Sequence, residues 1–109
     1  MPWKKKHYKL YWYGFIRKML QRYRCIERVS NPSEIEKSFL TAAVRAKEEA
    51  AAMQDGTAET RIKVIELFVT DQYSIGGIAE RAYISRRMVT RYISDYVHAT
   101  GCYMGFKRD

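Results

Sequence analysis

Apolar residues recur at spacings of three and four along most of this chain, and that spacing is typical of amphipathic α-helices. A chain of 109 residues can bury a core large enough to fold unaided but leaves no room for a second lobe. We therefore expect an all-α fold, a single domain over residues 1–109 built as a small bundle of about five helices. The predicted helices cover about residues 8–28, 33–53, 57–70, 75–82 and 86–99.

Short breaking segments separate the predicted helices. Pro32 cannot continue a helix, and Ser33 is predicted to cap the second helix. Asp55-Gly56 is a strong turn signal, and Thr57 is predicted to cap the third helix. Gly101 is predicted to end the last helix.

The second and third helices differ in what they can bury. The second helix carries an alanine-rich face that permits close approach to another helix, either in the same chain or in a second copy, and we favour packing within the chain. The third helix is apolar over more than half its circumference, so it is predicted to be the central helix behind the last two. Its apolar residues are Ile62, Val64, Ile65, Leu67, Phe68 and Val69.

The first helix is dense in aromatic and basic residues, and three interpretations stay open. In the one we favour, Tyr11, Trp12, Phe15 and Tyr23 belong to the core and the basic residues form a solvated face. Alternatively the basic residues contact phosphates, or the helix lies on a membrane surface. The candidate phosphate-binding residues are Lys4, Lys5, Lys6, Lys9 and Arg17.

The last two predicted helices, residues 75–82 and 86–99, are short and joined by three residues. Ala79 lies where the second helix must cross closely, and Ser85 is predicted to cap that helix. The predicted buried partners are Ile78, Ala82, Ile84, Val89 and Tyr92. The polar residues left at the start of the second helix are Ser85, Arg86, Arg87, Thr90 and Arg91.

This pattern resembles a DNA-binding helix-turn-helix over about 20 residues. The resemblance implies that the second helix enters the major groove, with the five polar residues named above against base edges. We assign phosphate contacts to Tyr73 and Ser74 together with the basic arm and Arg17. Where many members have glycine in the turn this chain has Tyr83, so we expect a looser turn without a left-handed residue.

The distribution of charge supports a polyanionic partner. The formal net charge is +8. Residues 1–30, the basic aromatic arm and helix, hold nine Lys or Arg against one acid, whereas the scaffold of residues 31–71 holds five against eight. Residues 72–109, comprising the paired helices of residues 72–99 and a tail of residues 100–109, hold six against three. Both ends are therefore basic and the middle is acidic.

Several other classes of function have little support. Cys25 and Cys102 lie far apart without a histidine cluster, so neither a zinc site nor a disulfide framework is indicated, and a reduced, cytoplasmic setting is expected. No signal peptide is recognisable, and the longest uncharged run, residues 96–106, cannot span a bilayer as a helix. His7 and His98 stand alone and no glycine-rich phosphate loop occurs, so we expect no enzyme, no cofactor and no metal.

The whole layout resembles the small phage and prophage regulators of late transcription, the autolysin-regulator type, whose C-terminal part is similar to region four of sigma factors. Tyr23-Arg24 and the segment ISRRMVTRYI carry this resemblance. It implies a transcriptional regulator that binds double-stranded promoter DNA near RNA polymerase, with a homodimer as an open question and no membrane partner. The alternative is a DNA-packaging component similar to a phage small terminase subunit, in which the alanine-rich helix would serve assembly.

Overall fold

The computed structural model describes residues 10–106, and every regular element in that range is a helix, which confirms the all-α prediction. Within the same range, no helix combines the length and the apolar composition that a bilayer crossing requires. In chain order the helices are α1 (Tyr13–Gln21), α2 (Tyr23–Glu27), α3 (Glu34–Ala51), α4 (Ala58–Val69), α5 (Ile75–Ala82) and α6 (Arg86–Tyr103).

The predicted first helix is two helices, because the backbone leaves helical geometry at Arg22, with φ −108° and ψ 17°. The break brings α2 onto α3, where the ring of Tyr23 meets Phe39 edge-on with centroids 6.0 Å apart. The assignment of aromatic residues to the core is right for Trp12, which is 2% exposed, but wrong for Tyr11 and Phe15, which are 80% and 47% exposed.

The alanine face of α3 is buried within the chain, where α3 packs on α6. Ser33 caps α3 as predicted, and Glu36 completes a capping box by accepting a hydrogen bond from the Ser33 backbone N–H. Tyr96 of α6 donates its hydroxyl to the Ala43 carbonyl at 3.4 Å. Burial raises the pKa of Tyr96, so its phenol stays protonated as the donor that this contact needs. The buried alanines are Ala42, Ala43, Ala46 and Ala50.

Helix α4 packs against α3, α5 and α6. The predicted burial of its apolar side is only partly right, because half of the six predicted residues are buried and half are only half-buried. The buried ones are Val64, Ile65 and Phe68, and the half-buried ones are Ile62, Leu67 and Val69. The start of α4 differs from the prediction, because the Thr57 side chain does not cap the helix. The Thr57 hydroxyl instead donates to Asp55 at 2.6 Å and accepts from Arg61 Nε at 2.8 Å. Arg61 is buried, pairs with Asp95 of α6 at 2.9 Å and stacks over the Tyr92 ring at 4.4 Å. These contacts tie the start of α4 to α6.

We expect Asp95→Ala to lower the free energy of unfolding by about 2 kcal/mol. That value lies between the ~0–1 kcal/mol of an exposed pair and the ~3–5 kcal/mol lost when a fully buried charge is orphaned. The intermediate value fits because the Arg61 side chain is 8% exposed and that of Asp95 is 36% exposed. Urea denaturation measures the change, with Lys37→Ala as the control, since its pair with Glu34 is exposed. Equal effects of the two substitutions would mean that the pair of Arg61 with Asp95 stabilises the fold no more than an exposed pair does.

Helix α6 continues through Gly101 to Tyr103, so the predicted end at Gly101 is wrong. The glycine serves close packing instead: a Cβ at Gly101 would lie 2.2 Å from Cζ3 of Trp12. Phe106, which follows the helix, stacks on the Trp12 indole, and the two ring centroids lie 5.6 Å apart. The C-terminal segment therefore docks on the core through the residues preceding α1.

Candidate nucleic-acid interface

Helices α5 and α6, with the turn Tyr83–Ser85 between them, form a compact unit that we call the α5–α6 unit. Both helices begin at a serine in extended geometry, which presents its side chain to the first turn. The Ser74 hydroxyl accepts from the Gly77 backbone N–H at 3.1 Å, and the Ser85 hydroxyl accepts from the Met88 N–H at 3.2 Å. The predicted cap at Ser85 is therefore confirmed.

The turn is tight, and the looser turn expected from the sequence is wrong. Tyr83 adopts the left-handed conformation, with φ 59° and ψ 41°. The backbone N–H groups of Tyr83 and Ile84 both donate to the Ala79 carbonyl, which closes the end of α5. The left-handed conformation strains the backbone of Tyr83, but its side chain is 89% exposed and is therefore not crowded by other groups.

We expect Tyr83→Gly to raise the free energy of unfolding by up to about 1 kcal/mol. A left-handed residue with a Cβ costs roughly 1–2 kcal/mol, whereas the extra flexibility of glycine in the unfolded chain costs roughly 0.5–1 kcal/mol. Thermal unfolding measures the result, with Glu80→Gly in the exposed interior of α5 as the control of opposite expected sign. Destabilisation by both substitutions would mean that the turn is not strained at Tyr83.

The two helices of the unit pack through small and apolar residues. Ala79 of α5 is buried beside Ile78, which permits the close crossing that the sequence predicts. On α6, Val89 and Tyr92 are buried as predicted. The other two predicted core residues of the unit are only half-buried; they are Ala82 and Ile84.

All five residues predicted to face DNA bases are exposed in the structure. The four that belong to α6 span an arc of about 140° at 100° per residue, so they share one side of the helix. Within residues 10–106 none of the three arginines of this face is paired with a carboxylate. The face, which we call the α6 polar face, consists of Ser85, Arg86, Arg87, Thr90 and Arg91.

Arg86 differs from the rest of the α6 polar face because its side chain lies against α5. A Cβ placed on Gly76 would be 2.9 Å from Nη2 of Arg86 and 3.2 Å from its Cζ. The guanidinium therefore rests on the first turn of α5, in space that exists because residue 76 has no side chain. The sequence shows Gly76-Gly77 only as a pair at a helix start, and no local signal links it to an arginine ten residues later.

The residues predicted to contact phosphates are only partly brought together. Ser74 is exposed at the start of α5, and Tyr73 beside it is half-buried with the guanidinium of Arg81 over its ring at 4.3 Å. Arg81 is exposed and basic, and sequence reasoning did not select it. Arg17 packs over the Phe68 ring at 5.2 Å, which places it on α4. The predicted contacts that lie outside the described residues are Lys4, Lys5, Lys6 and Lys9.

Two adjoining grooves lie elsewhere on the molecule, between α2, α3 and α4. One has a volume of about 930 Å³ and is lined partly by charged residues, and the other has a volume of about 480 Å³ and is mostly apolar. Tyr23 and Lys47 line both, and Lys47 pairs with Glu66 at 3.2 Å. In the part of the chain that the structure describes, no three His, Cys, Asp or Glu side chains are grouped as metal ligands would be.

Comparison of the chain with protein-family models, with curated proteins and with solved structures finds no match.

Proposed function

We propose that this chain is a sequence-specific double-stranded DNA-binding protein that regulates transcription, with the start of α6 in the major groove. The observation that carries the proposal is the α5–α6 unit. It has two helices joined by a tight turn, in which Tyr83 adopts the left-handed conformation, and an exposed α6 polar face with three arginines. A recognition helix in a helix-turn-helix presents its N-terminal residues to base edges in this way.

The charge of the chain supports a nucleic acid as the partner. The net charge is +8, and residues 72–109 hold six Lys or Arg against three acids. Each basic residue that neutralises a phosphate releases counterions, so binding is expected to weaken steeply as salt concentration rises. This term supplies affinity without sequence preference.

Sequence preference is assigned to arginines of the α6 polar face. Arginine forms bidentate hydrogen bonds with guanine O6 and N7, and a good contact of this type discriminates between bases by ~1–3 kcal/mol. Ser74 has a hydroxyl proton to donate to a phosphate oxygen while its oxygen caps α5. Tyr73 and Arg17, with the four N-terminal lysines named above, are proposed to hold further phosphates.

The class of regulator rests on the resemblance of the sequence to phage and prophage regulators of the autolysin-regulator type. That resemblance supports RNA polymerase as a protein partner, a mobile-element origin and a cytoplasmic setting. A DNA-packaging role was suggested mainly by the alanine face of α3, and this face is buried inside the chain. The fold therefore offers no separate support for packaging, and we keep the regulator as the proposal.

Amide hydrogen exchange with and without a duplex of random sequence tests which face binds. We expect protection to concentrate in residues 73–92, which contain the turn and the starts of α5 and α6. Single-stranded DNA of equal phosphate content serves as the control, because a groove-reading helix should prefer the duplex. Protection confined to α3 and α4, or equal protection by both nucleic acids, would contradict the proposal.

A further inference from the structure

The contact between Arg86 and Gly76 bears on how the arginines of the α6 polar face divide their roles. The space above Gly76 admits the guanidinium itself, since a Cβ there would be 2.9 Å from Nη2 and 3.2 Å from Nε. At the neighbouring Gly77 a Cβ would make only ordinary contacts, at 3.5 Å from the Ser74 hydroxyl and from Cβ of Tyr73. Of these two glycines, only Gly76 leaves space that the Arg86 guanidinium occupies. We call this space the Gly76 notch.

We infer that Arg86 binds a phosphate of the DNA backbone, and that Arg87 and Arg91 carry the base preference. This inference rests on the proposed DNA-binding function. It also reverses the expectation from sequence, which placed Arg86 among the base-reading residues.

In a helix-turn-helix complex the second helix lies in the major groove, whereas the first helix crosses the sugar–phosphate backbone. The Arg86 guanidinium lies on α5, which is the first helix of the unit, although its Cα belongs to α6. Its charged group is therefore held toward the helix that runs over the backbone.

Arg87 lies about 100° from Arg86 around the axis of α6, and Arg91 lies a further turn along the same side as Arg87. Both are exposed, and neither has a carboxylate partner within residues 10–106. Their guanidinium groups are available to base edges when α6 occupies the groove.

A guanidinium presents two parallel N–H donors that match two oxygens of a phosphate. An arginine held at the edge of the DNA major groove can therefore bind a backbone phosphate with both donors. A phosphate contact is independent of base sequence, and it contributes to the dependence of binding on salt. The roles of Arg86 and Arg87 can therefore be separated by measuring affinity, sequence preference and salt dependence on the same variants.

The test compares Arg86→Ala, Arg87→Ala and Gly76→Ala, with Gly77→Ala as the matched control for a glycine replacement. Each variant is titrated against a duplex selected from a random pool by the unmodified protein and against a duplex with that site scrambled, at several salt concentrations. Thermal unfolding of each variant checks that the fold is retained.

Arg86→Ala is expected to weaken binding to both duplexes by a similar factor, about tenfold, and to reduce the salt slope by about one unit. Its preference for the selected duplex should stay unchanged. Gly76→Ala is expected to act in the same direction with a smaller effect, because the new methyl group displaces the guanidinium from the Gly76 notch. Gly77→Ala should bind both duplexes as the unmodified protein does.

Two results would overturn the inference. One is a loss of preference for the selected duplex in Arg86→Ala, which would make Arg86 a base-reading residue. The other is unchanged binding by Gly76→Ala alongside weakened binding by Arg86→Ala, which would mean that the Gly76 notch does not position the arginine. If the unmodified protein binds neither duplex, the proposed function fails instead, and that outcome is recognisable without any variant.

Discussion

Replacement of Gly101 by alanine is expected to lower the free energy of unfolding by about 3 kcal/mol, the upper part of the range for overpacking a core. The added Cβ would lie 2.2 Å from Cζ3 and 2.6 Å from Cε3 of Trp12. The indole has little room to retreat, because it is 2% exposed, stacks on the Phe106 ring at 5.6 Å and meets the His98 ring at a tilt at 5.8 Å. Urea denaturation followed by circular dichroism measures the change.

Gly14→Ala is the matched control, since Gly14 lies in the first turn of α1 and a Cβ there meets no atom of residues 10–106 within 4 Å. It should raise the free energy of unfolding by at most roughly 0.5–1 kcal/mol, the range for replacing glycine by alanine in a helix interior. A smaller side chain at Trp12 should make Gly101→Ala less harmful, because the two residues compete for one space. If Gly101→Ala is as well tolerated as Gly14→Ala, the packing of Trp12 on α6 is wrong.

Arg87→Ala is expected to reduce the preference for a selected duplex over a scrambled one by about 5- to 150-fold. This range corresponds to the ~1–3 kcal/mol that a bidentate arginine–guanine contact contributes to discrimination. Fluorescence anisotropy titrations of the two duplexes measure it. Arg45→Ala, which removes an exposed arginine from α3, is the control and should leave the preference unchanged. An equal loss of affinity for both duplexes would identify Arg87 as a phosphate contact.

Local sequence signals predicted those features of the fold that depend on a few neighbouring residues. Ser33 and Ser85 cap their helices because a serine side chain can reach the free N–H groups of the first turn. The alanine face of α3 could be recognised from its spacing, whereas the choice between packing within the chain and packing on a second copy needed the structure, which buries this face within the chain. The exposure of the α6 polar face also follows from helical periodicity alone.

Most features that sequence reasoning missed depend on contacts between distant residues, and the conformation of Tyr83 is the local exception. A glycine is usually a signal for the end of a helix. At Gly101, however, packing against Trp12 outweighs the weak helix propensity of glycine. Arg22 has no local feature that would break a helix, and the break instead allows α2 to reach α3. Tyr83 accepts a strained backbone because its exposed side chain adds no clash. The contact of the Arg86 guanidinium with Gly76 also joins residues that are separated in the sequence.

The central claim is that this chain reads DNA sequence through the start of α6. Selection of duplexes from a random pool at about 150 mM salt tests it most directly, because nonspecific electrostatic binding is weakened there. The unmodified protein is expected to enrich one short motif, and the Arg87→Ala/Arg91→Ala variant should lose that motif while retaining its fold by circular dichroism. Recovery of random sequences by both proteins would contradict the claim and leave only a general affinity for phosphate.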